Sequence, residues 1–449
     1  MIRNAEYGAD SARSKNSKRR ASSEVTSAFV ADSASIPFAT AVAAYDDGDY
    51  MTPKGDKGGG KSSASIHSAS TGSLRGLSSP LPQQDQNDPG SPSERESGNV
   101  ARSWPAGLID SVISSFSRPP NEGRAKAYLT KQNWPMGLQE NLLKSCRKVP
   151  IRFFIVDDSG SMQNNDGRKI LRTGPKDAKM VACTRWSELT NTLHFLAEIS
   201  EEAGAPSEFR LLNGADPVLV GLGDDNGEGL SFCKEVLQDP PAGTTPLCAH
   251  ITCVVSAIKA MSKSLKSAGQ KAAVIILTDG EATDGSVTEC LKPLEKLPVL
   301  MVVRLVTDAP AVVKYWDNID KELELEMDVL DDLVHDAKQV KLHNPWIRYG
   351  DELHRLREFG ASMKEMDLID ESCLGAEQMS VFASMFLGVQ LPHPDLDFPS
   401  FLAKVKKAND KLDKIFDPLL LSFQSWIDIP ELRRIYGGGT NRSSSCTIT

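Results

Sequence analysis

The stretch Ile151-Arg-Phe-Phe-Ile-Val156, followed by Asp157-Asp158-Ser159-Gly160-Ser161, decides how this chain folds. The apolar run has the length and composition of a buried strand, and it ends on a cluster of side-chain oxygens. Asp157, Ser159 and Ser161 alternate, so in extended backbone their side chains point to one side. Gly160 permits a sharp turn there. One carboxylate and two hydroxyls at a strand end suit Mg²⁺ or Ca²⁺ better than a soft metal.

Bulk composition narrows the class of protein. The chain has 449 residues, of which 40% are hydrophobic and 25% charged, a globular composition. No apolar run approaches the roughly 18 residues of a membrane span, and residues 1–6 lack the apolar core of a secretory signal. The eight cysteines form no CxxC pairs, which favours reduced thiols and a cytoplasmic protein. A net charge of −9 argues against a nucleic-acid partner.

Composition and periodicity divide the chain into five segments. Residues 1–125 are rich in Ser, Gly and Pro without sustained periodicity, which predicts a disordered arm. A lead-in helix is expected within 126–148, where Trp134-Pro135 precedes Leu138, Leu142 and Leu143 at helical spacing. The remaining predicted segments are an α/β domain over 149–340, a helical extension over 341–440 and a flexible tail over 441–449.

Strand and helix patterns alternate through the central segment. Predicted strands are Ile151–Val156, Phe209–Leu212, Val218–Val220, Ala273–Leu277, Val299–Val306 and Leu325–Leu330. Predicted helices are Trp186–Ala203, Phe232–Leu237, Leu247–Ala268, Val287–Leu297 and Ala311–Leu323, followed in the extension by Asp351–Phe359, Gln378–Leu387 and Ser400–Phe416. This alternation predicts a Rossmann-like, doubly wound α/β fold with a mostly parallel sheet. Ligands bind such sheets beyond the carboxyl ends of the strands, where Asp157 lies.

Two later segments carry oxygen ligands in similar positions. Pro240–Leu247 is a tight loop that opens a long helix and carries a hydroxyl at Thr245. Ile275–Gly280 is a buried strand pattern that ends on Asp279. Taken alone, the first is an ordinary helix start and the second an ordinary turn. In this order and context they point to one site.

With these residues the chain resembles the von Willebrand factor type A (vWA) domain with a metal-ion-dependent adhesion site. The family pattern is Asp-x-Ser-x-Ser after the first strand, then a distant Thr and a distant Asp. Asp157, Ser159 and Ser161 match the first element and Asp279 matches the third. Thr245 matches the second, with Thr244 as the alternative. The resemblance covers roughly residues 149–340.

The resemblance implies a metal-dependent binding site. Ser159, Ser161 and Thr245 would bind Mg²⁺ directly, or Mn²⁺ or Ca²⁺ in its place, while Asp157 and Asp279 would act mostly through water and by orienting the hydroxyls. An Asp or Glu of a protein partner would take the remaining coordination position. Such a module binds a partner and makes or breaks no bond.

One departure from the family is the long polar stretch Met162–Thr184. A surface insertion is the favoured interpretation, although a loop beside a site can also select the ligand. Arg168, Lys169 and Arg172 within it would suit an acidic partner. Asp158 and Glu281 place two more carboxylates near the predicted ion, where they raise the local negative charge.

Two other motif matches lack the context that their chemistry needs. Gly55–Ser62 fits the phosphate-loop string, yet no buried strand precedes it and no helix follows, so a Gly/Ser linker is favoured. Asp224–Glu235 mimics a calcium EF-hand loop, but no helix enters it and Glu228 stands where Asp or Asn is expected. An acidic surface loop is favoured there.

Enzymatic chemistry is the least expected function. A phosphatase of the haloacid dehalogenase type needs a second Asp two residues after the first, and Ser159 occupies that place. No Gly-x-Ser-x-Gly elbow occurs, and His250 has no evident nucleophile beside it. We therefore expect a binding protein, with a hydrolase as the weakest alternative.

Two modification signals and one rival function remain open. Ser22 follows Arg19-Arg20 as a candidate kinase site, and Cys446 begins a terminal CaaX form that permits a lipid anchor. The rival function is a scaffold in which residues 341–440 bind partners while the metal only stabilises the fold.

Overall fold

The computed structural model of the chain describes residues 102–438, except Pro175, Ala215, Asp224, Asp225 and Ser362. Most of the predicted arm and the whole predicted tail lie outside the described residues. The same holds for the phosphate-loop string, for Ser22 and Cys446, and for the first two residues of the EF-hand match.

Ten strands are present in the described part of the chain. They are β1 (Ile151–Val156), β2 (Gly167–Gly174), β3 (Asp177–Cys183), β4 (Ser207–Leu211), β5 (Val218–Val220), β6 (Ala272–Thr278), β7 (Val299–Leu305), β8 (Met327–Leu330), β9 (Ile415–Asp417) and β10 (Ser422–Gln424). Six form one sheet in the order β5-β4-β1-β6-β7-β8. Every neighbouring pair in it is parallel except β4 and β5. The predicted doubly wound, mostly parallel α/β sheet is confirmed.

Helices cover both faces of this sheet. They are α1 (Ala106–Ser115), α2 (Glu122–Lys131), α3 (Met136–Lys148), α4 (Arg185–Ala203), α5 (Glu228–Val236), α6 (Leu247–Ala268), α7 (Val287–Leu291), α8 (Pro310–Glu322), α9 (Leu333–His343), α10 (Asp351–Glu358), α11 (Ala376–Leu387), α12 (Phe398–Asn409) and α13 (Ile429–Tyr436). Among the described residues no helix is long and apolar enough to cross a bilayer.

The central strands are buried on both faces, as a parallel sheet requires. Phe154 and Ile275 lie in one hydrophobic cluster with residues of α3, α4 and the C-terminal extension. Their neighbours Phe153 and Val274 lie in a second cluster with residues of α1, α6 and α8. Alternate side chains of β1 and β6 therefore enter opposite layers.

The chain is ordered earlier than the sequence predicted. The arm was placed over residues 1–125, but α1 and the start of α2 occupy part of that range. Val112 and Phe116 are buried in the cluster that contains α6, and the side chain of Asn121 caps α2 by accepting from the Arg124 amide. The apolar stripe of α1 is short and is surrounded by polar residues, so its helical periodicity was too weak to predict the helix.

The predicted lead-in helix over 126–148 is two helices, α2 and α3. The chain turns between them at Asn133, whose φ is +60°. The predicted start after Pro135 is confirmed, because α3 begins at Met136 and buries Leu138, Leu142 and Leu143. An asparagine tolerates this left-handed conformation better than most residues.

The C-terminal extension is helical but is built into the core of the α/β domain. Trp346, Leu356 and Phe382 lie in the same buried cluster as Phe154 of the central strand. The predicted helix Ser400–Phe416 is too long: α12 ends at Asn409, and Ile415–Asp417 pairs as β9 with β10. The extension buttresses one face of the sheet.

The strand order creates one switch point. The strand β1 lies between β4 and β6, and the chain moves from β1 to β4 on one side before it returns to β6 on the other. Helices on the two sides consequently diverge beyond the carboxyl ends of β1 and β6. This crevice is where open α/β sheets bind ligands.

Candidate metal site

Asp157 is anchored across the switch point between β1 and β6. Its amide donates to the Leu277 carbonyl at 2.9 Å, and its carboxylate is fully buried. Oδ1 accepts from the Ser159 amide at 2.9 Å, and Oδ2 accepts from Thr278 Oγ1 at 2.7 Å. Burial raises the pKa of Asp157, against the lowering effect of its bonds to Ser159 and Thr278. The carboxylate is therefore held in one orientation by both strands.

A line of three oxygens extends from the end of β1 to the end of β6. Ser159 Oγ lies 2.9 Å from Ser161 Oγ, and Ser161 Oγ donates to Asp279 Oδ1 at 2.9 Å. The sequence predicted that extended alternation would align the two serines. Instead, Gly160–Gln163 forms a 3₁₀ turn, and that turn sets the approach of their hydroxyls.

The loop that carries Thr245 is fastened to the end of β1. The Gly160 amide donates to the Gly243 carbonyl at 3.2 Å, and the Ala242 amide donates to the Asp158 carbonyl at 2.7 Å. Gly243 has a φ of +94°, and a Cβ there would lie 2.4 Å from Asn213 Oδ1. Only glycine fits this position without displacing the loop.

Thr245 itself is buried, whereas Thr244 is exposed. The Thr245 carbonyl accepts from the amides of Leu247 and Thr283, which ties the loop to the segment after Asp279. That segment also caps α6, because the Asp284 carboxylate accepts from the amides of the second and third helical residues. The structure thus brings the third predicted segment against the first two.

Arg185, which the sequence did not single out, contacts the site directly. Its Nη1 donates to Asp279 Oδ2 at 2.8 Å, while Nε and Nη2 bind the two oxygens of Asp166 at 2.7 and 2.6 Å. The Arg185 side chain is 12% exposed and that of Asp279 is 2% exposed. These carboxylates raise the pKa of Arg185, with the Asp166 bond as the largest cause, so the guanidinium stays charged.

The sequence did contain a signal for Arg185. It is the first residue of α4, directly after the Thr184 cap, and basic residues are disfavoured at the positive end of a helix. An arginine there needs nearby carboxylates, which Asp166 and Asp279 supply. Thr278 was missed because a buried threonine in a strand looks like an ordinary β-former.

Three other polar residues, Asp158, Glu281 and His250, lie outside the line of three oxygens. Asp158 Oδ1 accepts from the Asn213 amide at 2.7 Å and from its Nδ2 at 3.1 Å, so it holds the loop after β4. Glu281 is exposed. His250 is buried on α6, where burial and the charge of Arg210 lower its pKa to about 4.

The three oxygens are joined by ordinary hydrogen bonds, and their spacing is also compatible with neighbouring ligands of an octahedral cation. Adjacent ligands at about 2.0–2.1 Å from Mg²⁺ lie about 2.9 Å apart. Ser159 Oγ, Ser161 Oγ and Asp279 Oδ1 are separated by 2.9 Å in both steps. Across the described residues no group of three or more His, Cys, Asp or Glu could hold a metal ion, so a site here depends on its hydroxyls.

Comparison with known proteins gives a sparse result. No family model matches the chain, and no curated protein sequence matches it. Among solved structures, the crystal structure of the SpRpn10 VWA domain is similar with a TM-score of 0.28 and 12% sequence identity. That likeness covers 40% of this chain and 86% of the other.

Proposed function

We propose that this chain is a vWA-type protein-binding module that holds Mg²⁺ at the end of β1 and uses it to bind an acidic residue of a protein partner. One observation carries the proposal: the line Ser159 Oγ, Ser161 Oγ and Asp279 Oδ1, spaced by 2.9 Å at the switch point of the sheet. Two neighbouring hydroxyls, one of them oriented by a carboxylate, offer the oxygen ligands that a hard cation prefers.

Each residue has a separate task in this proposal. Ser159 and Ser161 offer neutral oxygens, and burial of Thr245 supports it over Thr244 as the third. Asp157 holds the Ser159 backbone, while Asp279 orients the Ser161 hydroxyl. Such orienting contacts typically change metal affinity 10- to 100-fold. When bound, Mg²⁺ or a similar divalent ion would supply a coordination position for a carboxylate.

Charge explains why the partner would need the ion. The carboxylates of Asp157, Asp158 and Asp279 are buried at this end of the sheet, and the single guanidinium of Arg185 is shared between Asp279 and Asp166, so the site keeps a formal negative charge that disfavours a partner carboxylate. A divalent cation reverses that charge locally. Recognition would then depend on metal, and the reaction would be association without a covalent step.

Calorimetry tests the metal site. Mg²⁺ and Mn²⁺ are titrated into chelator-treated, dialysed wild type and into the Ser159→Ala/Ser161→Ala variant. We expect saturable binding to wild type and at least about tenfold weaker binding to the variant. Ser256→Ala, which removes an exposed hydroxyl on α6, serves as the control and should bind like wild type. Equal binding by all three proteins would refute the site.

A second candidate function is partner binding by the C-terminal extension. Its exposed leucines include Leu396, which is 86% exposed, Leu420, which is 46% exposed, and Leu421, which is 62% exposed. Because the extension shares its core with the sheet, its deletion would remove the fold as well. The substitution of these three leucines by serine is the suitable test, and a partner lost from that variant but retained in chelator would favour this function.

A further inference from the structure

The hairpin β2–β3 is a basic element on an acidic protein. Residues 167–183 contain five Lys or Arg and one Asp, a net charge of +4 in a chain whose net charge is −9. The hairpin replaces the plain surface loop expected between Ser161 and α4. A local reversal of charge of this size attracts acidic ligands to one place on the surface.

Both ends of the hairpin lie at the candidate metal site. Asp166 immediately precedes β2, and Arg185 follows β3 by two residues. These two residues form an ion pair with each other, and Arg185 also binds Asp279. The Arg185 amide donates to the Asn164 carbonyl at 3.0 Å, which closes the base of the hairpin. The base of the hairpin is therefore joined to the candidate metal site through Arg185.

One face of the hairpin contacts the rest of the protein. Arg168 and Met180 line a small cleft against the ends of β7 and β8. Arg172 Nη2, on the same face, donates to Glu352 of α10 at 2.7 Å, and the Glu352 side chain is 4% exposed. These contacts fix how the hairpin lies on the protein.

The opposite face presents lysines beside apolar side chains. Lys169 is paired with Val181 and Leu171 with Lys179 in the antiparallel register, so the four share one face. We call these four residues the ribbon face. Lys169 and Val181 are half-buried, and Lys169 Nζ donates to Ser187 Oγ of α4 at 2.7 Å. The exposed part of the ribbon face is therefore Leu171, which is 43% exposed, and Lys179, which forms no ion pair with any described residue. Lys176, also exposed, extends the charge into the turn.

The pattern favours an acidic peptide over other anions. A seven-residue strand spans about 24 Å, enough for about seven residues of extended peptide. Exposed Leu171 beside exposed Lys179 and Lys176 matches a peptide in which an apolar residue stands next to carboxylates.

We propose that the ribbon face binds an extended acidic segment of the partner, with an apolar residue against Leu171, while a carboxylate of the same segment reaches the metal. This inference rests on the proposed function for the second contact only. The ribbon face gives specificity and speeds association, because unpaired surface lysines act mainly through long-range attraction.

Selection from a displayed library of random 12-residue peptides tests the inference. The full chain is the bait, in Mg²⁺ and in chelator, and selected peptides are then synthesised and titrated against variants. We expect peptides that combine Asp or Glu with a large apolar residue. Lys176→Glu/Lys179→Glu should weaken them at least about fivefold, and Leu171→Ser should weaken them too. Lys259→Glu/Lys263→Glu, an equal charge reversal on exposed α6 positions, should bind nearly as wild type does.

Binding in Mg²⁺ or in chelator, measured with each variant, distinguishes the ribbon-face contact from the metal contact. Peptides that need Mg²⁺ and Ser161 but bind Lys176→Glu/Lys179→Glu at full strength would overturn the ribbon face and support the metal site. Peptides that need the lysines but bind equally in chelator would overturn the metal contact and support the ribbon face alone. Selection of non-acidic peptides would overturn the acidic occupant. The acidic peptide would also be overturned as the occupant if single-stranded RNA or anionic phosphatidylserine vesicles bound in a lysine-dependent way and competed with the selected peptides.

Discussion

Arg185 Nη1 lies 2.8 Å from Asp279 Oδ2, while Asp279 Oδ1 lies 2.9 Å from Ser161 Oγ. The Asp279 carboxylate thus binds the Arg185 guanidinium with one oxygen and the Ser161 hydroxyl of the candidate metal site with the other. Because Arg185 is largely buried, its charge is only weakly screened at the site. The protein therefore carries a positive charge next to the place where a dication is proposed to bind.

Replacing Arg185 should strengthen metal binding. In Arg185→Gln, removal of the guanidinium lowers the repulsion of a dication, and we expect Mg²⁺ to bind about fivefold tighter. Without metal, the same variant should unfold about 2–3 kcal/mol more easily, since Asp279 loses its buried partner. Calorimetry and urea unfolding in chelator measure the two effects. Weaker Mg²⁺ binding would show that Arg185 acts mainly by orienting Asp279.

Gly243 should be needed for the loop that presents Thr245. At a φ of +94°, with a Cβ only 2.4 Å from Asn213 Oδ1, alanine would displace the loop. We expect Gly243→Ala to cost about 1–3 kcal/mol and to weaken Mg²⁺ binding. Gly280→Ala is the matched control, because that position is open and lies next to Asp279. If both variants behave like wild type in urea and in calorimetry, the loop does not hold the site.

The C-terminal extension should be indispensable for folding. Trp346 is fully buried in the cluster that includes Phe154 of β1, so Trp346→Ala should cost about 3–5 kcal/mol. Leu396→Ala, at an 86% exposed position, should change stability by less than about 0.5 kcal/mol. Urea unfolding of both variants measures this difference. A folded fragment that ends at residue 340 would contradict the prediction.

Stability should fall as pH rises from neutral to 9.5, because His354 is protonated in the folded state. Burial lowers its pKa, but Glu358 and Asp336 outweigh burial and raise the pKa to about 9 from an ordinary 6.5. His354 Nδ1 lies 3.3 Å from Asp336 Oδ2, and Nε2 lies 3.4 Å from Glu358 Oε1. The other charged or titratable groups around this cluster are Arg304, Tyr349 and Arg357.

The direction of this pH dependence follows from the linkage between proton binding and folding. A pKa that is higher in the folded state contributes stability that is complete below pH 6.5 and is lost as pH rises through about 9. Asp331, whose burial raises its pKa to about 8, adds a loss in the same direction. Urea unfolding at pH 6.5, 7.5, 8.5 and 9.5 measures the decline. His354→Gln should flatten part of it, and an unchanged slope in that variant would assign the decline to other groups.

The six strands of the main sheet could be predicted from the sequence, as could the oxygens that follow β1 and β6. Apart from Arg152, the run from Ile151 to Val156 is apolar, which is typical of a strand buried on both faces, so β1 and the parallel sheet could be predicted from local pattern. The same holds for β6, which ends at Thr278, next to Asp279. Such patterns are visible because each repeats over a few neighbouring residues.

Which residues these segments contact depends on the packing of distant parts of the chain. The bond from Ser161 to Asp279 joins residues 118 positions apart, and the role of Arg185 depends on that same meeting. The hairpin β2–β3, the early start at α1 and the merging of the extension into the core were likewise decided by long-range packing. Burial between distant segments leaves no periodic trace in either segment, so local sequence pattern cannot reveal it.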